Sequence, residues 1–324
     1  KVTAEYFPKK DRAYATSLFN AGSSVGALAA PLSIPILADA FGWEMAFIII
    51  GVLGFAWMFF WIYMYEKPKQ SKHVSAAELE YILQDEKNSA EEKKDVEKNE
   101  KTIPFFQCFR YRQTWSFISG KFFTDGVWWF YLFWAPAYFS ECGYSMQTTT
   151  GKMLVFVLYL IVTIVSIGGG YLPKLFVEKR GMEPYAGRML AMLIFAFFPL
   201  FALFAQPLQG ISVWFPAIII GLAGAGHQAW SANLFSTIGD MFPKSTIATI
   251  TGIGTMAGGI ASFLINKGAG VLFDYAAESQ RSSMGFVGKP AGYFIIFCIC
   301  AVAYLIAWTV MKTLVPKHKP IVLD

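Results

Sequence analysis

The chain has 324 residues, of which 55% are apolar, 17% aromatic and only 15% charged, and its mean hydropathy is +0.45. A soluble domain carries about 25% charged residues, and here the 47 positions 66–112 hold 10 Lys or Arg and 10 Asp or Glu, leaving the rest of the chain still poorer in charge. Wholesale disorder, a coiled coil and a small disulfide scaffold are excluded, an ordinary soluble enzyme is disfavoured, and a membrane protein becomes the leading class.

In chain order, eight apolar stretches are long enough to cross a bilayer, which takes about 20 residues. They occupy positions 13–40, 45–65, 113–139, 148–175, 185–206, 211–239, 247–273 and 291–314. Pro31, Pro35, Pro136 and Pro199 would be costly in soluble helices. In a membrane bundle neighbouring helices re-satisfy the backbone, so each stretch is predicted to be a helix. The connection 66–112 mixes Lys and Glu, as in Glu91-Glu92-Lys93-Lys94-Asp95, and reads as a solvated helix or a flexible connector.

Eight alternating crossings divide the loops into two sets. One set, with its adjoining span ends, holds 22 Lys or Arg, including all 10 of positions 66–112; the other holds only Arg281 and Lys289. Lys121, Lys152 and Lys267 fall within spans. Cytoplasmic loops carry the positive excess, so both ends and the long connection are expected in the cytoplasm. The net charge of +5 is then a topology signal, and no nucleic-acid partner is expected. No signal peptide is visible, and the chain does not begin with Met. Cys108, Cys142, Cys298 and Cys300 lack metal or redox spacing, and only Cys142 falls in an outer loop. Neither a disulfide framework nor a metal or other cofactor is expected.

Two segments match without a gap at an offset of 235 residues. Phe7-Pro8-Lys9 matches Phe242-Pro243-Lys244, Ala13 matches Ala248, Thr16 matches Thr251, Leu37 matches Leu272 and Asp39 matches Asp274, with Glu5 opposite Asp240. The first and seventh spans are thus equivalent, and the repeat unit is six helices. Parallel repeats of this kind build transporters with substrate at the midplane between two halves. By the same register four further spans are expected before Phe7. The chain therefore reads as a fragment with eight of twelve transmembrane helices: a loop remnant (1–12), the last two helices of an N-terminal half (13–65), a cytoplasmic linker (66–112), a six-helix C-terminal half (113–314) and a cytoplasmic tail (315–324).

Glu5-Tyr6-Phe7-Pro8-Lys9-Lys10-Asp11-Arg12-Ala13, followed by Asn20-Ala21-Gly22 and Ala30-Pro31, resembles the end of the fourth helix and the fifth helix of the major facilitator superfamily, in its anion:cation symporter branch. Gly120-Lys121-Phe122-Phe123-Thr124-Asp125 with Trp128-Trp129-Phe130-Tyr131 is similar to hexuronate transporters. So is His227-Gln228-Ala229-Trp230-Ser231-Ala232-Asn233-Leu234-Phe235 with Asp240-Met241-Phe242-Pro243-Lys244. The resemblance implies an all-α bundle in the inner (plasma) membrane, a monomer that imports galacturonate, glucuronate or a related sugar acid with a co-transported cation, usually a proton. It also implies that the first and fourth helices, which fall outside this chain, carry basic residues for the substrate carboxylate and acidic residues for the proton. The loop around Gly170, Lys174, Lys179, Arg180 and Gly181 is similar to a degenerate copy of the superfamily's Gly-Asp-Arg loop motif and lacks its Asp.

The residues themselves supply candidates, because ionisable groups inside a span are costly. Lys121 and Asp125 lie near the midplane, four apart and so on one helix face, with Trp128 and Trp129 continuing that side. Lys121 would attract a carboxylate, Asp125 would tune it or take up a proton, and the indoles would stack on a sugar ring; alternatively the pair is structural and the tryptophans are core. At about 100° per residue, His227, Gln228, Trp230 and Ser231 share one arc with Asn233 at its margin. Gln228, Ser231 and Asn233 suit sugar hydroxyls, or else bond between helices. His227 is a proton-coupling candidate or a satisfied structural histidine. Gly252, Gly254, Gly258 and Gly259 are expected to permit close helix approach, and Lys267, beside Asn266, to snorkel outward.

A sugar-acid symporter is the reading these residues favour. A carrier of another organic anion, such as an aldonate, a dicarboxylate or a phosphorylated compound, and a membrane sugar-acid sensor are the alternatives. An enzyme is not expected, since no nucleophile–base pair, metal cluster or phosphate loop stands out.

Overall fold

The computed structural model describes residues 2–84 and 103–321. The Glu91-Glu92-Lys93-Lys94-Asp95 run and the side chains of Ala21, Pro31 and Pro35 lie outside the described residues. A short helix α1 (Val2–Tyr6) leads into α2 (Arg12–Phe41), which turns at Gly42 into α3 (Trp43–Met64). The connection contributes α4 (Ala76–Ile82), capped by Ser75 accepting from the Glu78 N–H. The remaining long helices are α5 (Arg112–Glu141), α6 (Thr149–Arg180), α7 (Pro184–Ala196), α9 (Trp214–Met241), α10 (Ile247–Glu278) and α11 (Lys289–Leu314).

All eight apolar stretches are helical, and their ends follow local chemistry. Thr148 accepts from the Gly151 N–H to open α6, and Gly181 closes it in the left-handed conformation at φ 62°, after Lys179 and Arg180 have placed positive charge on the last turn. The stretch 185–206 departs from expectation: it is not one continuous α-helix. It runs as α7, a 3₁₀ segment (Phe198–Phe204) and α8 (Ala205–Gln209). Pro199 lies where the α-helix gives way, and proline lacks an N–H and crowds the carbonyl four residues back.

Five of these helical segments are long and apolar enough to cross a membrane by length and composition alone. The helices α2, α5 and α9 are not among them. Those last two carry Lys121, Asp125, His227, Gln228, Ser231 and Asn233, so the polar helices are the ones that hold the candidate site.

The repeat found in the sequence is also present in the backbone. Helix α2 begins at Arg12 and α10 at Ile247, which differ by the same 235 positions. Asp11 and Thr246 precede them with near-identical angles, φ −99°, ψ −11° and φ −99°, ψ −13°. Asp11 N–H donates to Pro8 O and Thr246 N–H to Pro243 O, both at 2.9 Å. Phe7 N–H donates to Thr3 O and Phe242 N–H to Ile238 O, again in register.

The six helical passes after the connection form one packed group around Phe130, Phe139, Leu154, Trp230, Phe297 and Tyr304, all at most 1% exposed. Helix α2 seats on α6, where Gly170 leaves room for Ser17; a side chain at Gly170 would overlap it. Helix α3 stands apart, with Ala46 its only buried residue.

Candidate functional site

Helix α5 sets the charged pair. Lys121 Nζ lies 2.6 Å from Asp125 Oδ2, one turn on, and both residues are buried, at 5% and 6% exposure. The Lys121 ammonium also sits over the Phe235 ring of α9, 4.6 Å from its centroid. Asp125 reaches α10 at Gly258, where any side chain would overlap its carboxylate. Its second oxygen, Oδ1, is buried and has no hydrogen-bond partner. A buried ion pair repays its desolvation only with good geometry, and an unpartnered carboxylate oxygen is a place where a proton lowers the cost of burial.

Helix α9 packs its rings beside this part of α5. His227 stacks on Trp128 with centroids 5.1 Å apart and planes 7° from parallel. Its Nδ1 lies 2.7 Å from the Tyr304 hydroxyl of α11, and Tyr304 donates to the Thr124 carbonyl of α5 at 3.2 Å. A hydroxyl has one hydrogen to give, so Tyr304 accepts from Nδ1–H, and that tautomer leaves Nε2 as an acceptor. Trp230 meets Tyr304 edge to face at 5.6 Å, and its Nε1 is buried without a partner. Gln228 and Ser231 are 5% and 6% exposed, and no hydrogen bond joins either side chain to the described residues.

The structure thus brings Lys121, Asp125, Trp128, His227 and Trp230 into one region between α5, α9, α10 and α11, with Gln228 and Ser231 on the same helix turns. Two candidates stand elsewhere. Trp129 is 36% exposed and stacks on Phe133, itself more than half exposed, because one residue beyond Trp128 is about 100° around the helix. Asn233 turns its amide back onto the Ala229 carbonyl of its own helix at 2.8 Å, leaving Oδ1 buried and unpartnered. The glycines divide likewise: Gly254 and Gly258 admit Phe117 and Asp125 of α5, whereas Gly252 and Gly259 meet none of the described residues within 4 Å.

A second polar cluster was not anticipated. At the end of the bundle where the connection enters, Arg188 of α7 forms an ion pair with Asp240 of α9, both almost fully buried, and donates to the Lys9 carbonyl. Arg12 donates to Gly239 O at 2.9 Å and Phe7 O at 3.1 Å. Asp11 accepts from Lys174 of α6 at 2.7 Å and from the Tyr81 hydroxyl of α4 at 2.6 Å. The Gln113 side-chain amide donates from Nε2 to Lys319 O, and the Ile321 backbone N–H donates to Met241 O. The loops of the lysine- and arginine-rich set therefore meet at one end. The repeated Phe-Pro-Lys motif, flanked by Asp11 and Arg12 in one copy and preceded by Asp240 in the other, was the available signal.

Comparison with known proteins agrees with this architecture. The Major Facilitator Superfamily pattern matches residues 1–265. The hexuronate transporter of Escherichia coli (strain K12) is 29% identical over 321 residues, covering 96% of this chain and 68% of that protein. The galacturonate transporter of Dickeya chrysanthemi is 32% identical over 193 residues, covering 59% and 54%. A probable galactarate/D-glucarate transporter of Escherichia coli (strain K12) is 25% identical over 303 residues, covering 90% and 65%. With five helical segments long and apolar enough to cross a membrane, a repeated helix-initiating turn and this match across most of its length, the chain belongs to the Major Facilitator Superfamily and is a multi-pass membrane transporter, not an enzyme.

Proposed function

We propose that this protein carries a hexuronate or closely related sugar acid across the bacterial inner membrane by alternating access, with a proton as the co-transported cation. The observation that carries the reading is the buried Lys121–Asp125 pair with its unpartnered Asp125 oxygen; Gln228 and Ser231, buried on α9 with no hydrogen bond to the described residues, support it. The names of the similar transporters support the substrate class.

In the mechanism this reading gives, Lys121 attracts the sugar carboxylate and loosens its hold on Asp125. Asp125 then takes up the proton, because a carboxylate losing its buried counter-charge is costly to keep ionised. Gln228 and Ser231 meet the sugar hydroxyls, and Trp128 and Trp230 bound the ring. Trp129 and Asn233 have weaker claims on substrate contact. His227, held by Trp128 and Tyr304, positions the wall more than it moves protons.

The 22 Lys and Arg of one loop set support placing both ends and the connection in the cytoplasm. On the same reading, helices α2 and α3 belong to the N-terminal half of a two-lobed carrier, and the six passes from α5 onward form the other half. An aldarate or aldonate is the second substrate reading, favoured by the presence of a probable galactarate/D-glucarate transporter and a D-galactonate transporter among the similar proteins. Counterflow of labelled galacturonate in proteoliposomes tests transport: uptake into galacturonate-loaded vesicles is expected. Its absence, with galactonate or galactarate active instead, would move the assignment to the second class.

A further inference from the structure

At the end of the six-helix group opposite the connection, a cavity of about 390 Å³ opens between the close of α5, α8 and the first turns of α11. Small-molecule sites usually measure about 300–1,000 Å³. Its walls include Tyr138, Cys142, Gln206, Gln209, Lys289 and Tyr293. None of these residues takes part in the Lys121–Asp125 region.

The wall carries unmet hydrogen-bonding capacity. Gln206, 4% exposed, donates its amide to Pro290 O at 2.8 Å and leaves Oε1 buried with no partner. The Tyr293 hydroxyl is also buried without a partner. Tyr138 donates to Gln209 Oε1 at 2.9 Å; the Gln209 side chain also bonds Cys142, which leaves one amide hydrogen to serve elsewhere. Lys289 is ion-paired with Glu141, which also lines the cavity. An ammonium has three donors, so this contact anchors Lys289 and leaves two for a ligand.

We infer that this cavity is a second binding site, for a polyhydroxylated monocarboxylate, with the carboxylate on Lys289 and the hydroxyls on Gln206, Gln209 and Tyr293. The Tyr138 and Tyr293 rings, set edge to face with centroids 5.2 Å apart, give the wall an apolar part for a sugar ring. Glu141 sets the charge selectivity: it neutralises Lys289 in part and repels a second negative group, so a dicarboxylate or a phosphorylated sugar is refused. The inference takes its substrate class from the proposed cargo, while its residues and its test are separate from the central site. Under the topology above it lies at the outer mouth, where cargo first arrives.

Cys142 reports on occupancy. It lies in the wall, outside the span, and burial pushes its thiol up to about 11. The thiolate is the reactive form, so alkylation is measured in mildly alkaline buffer on the full-length protein, with Cys108, Cys298 and Cys300 replaced by Ser. Galacturonate at twice its Kd should slow Cys142 alkylation about threefold by mass action. Mannitol and galactarate should not slow it. Protection should persist in Gln228→Ala and in Lys289→Arg, and should vanish in Lys289→Gln and Gln206→Leu.

An unchanged rate with galacturonate overturns the inference. Equal protection by mannitol or galactarate overturns the monocarboxylate assignment. Protection lost in Gln228→Ala would mean that Cys142 senses the central site, which also overturns it. Protection of Cys142 without any counterflow would sink the transport reading and leave this site standing.

Discussion

Helices α3 and α11 are both long, uncharged through their middles and apolar on every side, yet they live differently. In α3 only 6% of the apolar stretch is buried inside the protein, against 44% in α11. Phe47, Phe59 and Tyr63 of α3 are 73%, 69% and 89% exposed, whereas Phe297 and Tyr304 of α11 are at most 1% exposed. The contrast separates two things that hydropathy merges: compatibility with lipid, and packing against protein. Lipid tails are as apolar as Leu, so helices associate through close packing and polar contacts. Helix α11 has Tyr304 bonded to α5 and α9, and among the described residues α3 shows no comparable hydrogen bond to the six-helix group.

The largest effect that would break this contrast is at the buried ion pair. Arg188→Ala strands Asp240 in the interior and should cost about 3–5 kcal/mol, read as a lower thermal unfolding midpoint in detergent; Tyr65→Phe, which removes a 2.5 Å bond to Glu5 at the end of α3, should cost under about 1.5 kcal/mol. Equal losses would mean that the hairpin is integrated as tightly as the lobe. Next, Phe297→Ala should destabilise by about 3 kcal/mol, while Phe59→Ala should stay within about 0.5 kcal/mol. A large loss at Phe59 would show that α3 is covered by protein.

Two predictions sharpen the functional side of the same contrast, since the candidate site lies wholly in the packed group. Asp125→Asn keeps a partner for Lys121 but cannot gain a proton, and should lower proton-driven galacturonate uptake about tenfold or more, equivalent to roughly 1.4 kcal/mol, with normal membrane insertion. Uptake kinetics like those of the parent would remove Asp125 from the coupling role. Gln228→Ala should weaken galacturonate affinity about fivefold, as expected for about 1 kcal/mol from one hydrogen bond, measured as the half-saturation of counterflow. An unaltered half-saturation would take Gln228 out of the cargo's reach.

The helices, the one-ended gathering of basic loops and the repeat could all be read from residue order. Span length, charge placement and a seven-residue identity pattern are local properties of a helix in a bilayer. Lys121 and Asp125 were also legible, because four residues of helix suffice to pair them. Trp129 and Asn233 were less so: a helical wheel gives an arc, and which neighbour fills it depends on α6 and α11. His227 illustrates the same limit, since its partner Tyr304 lies 77 positions away. The Arg188–Asp240 pair went unread because each residue alone looks like an ordinary charge at a helix end, and only the packing of α7 on α9 buries them.

The doubled turn at Pro8–Asp11 and Pro243–Thr246 makes the chain intolerant of insertions at two matched places. One extra residue there would spin the following helix by about 100° and advance it about 1.5 Å. Ser17 would then leave the notch at Gly170 in one copy, and Gly258 would swing from Asp125 in the other. In these two corners the count of residues is itself a structural element.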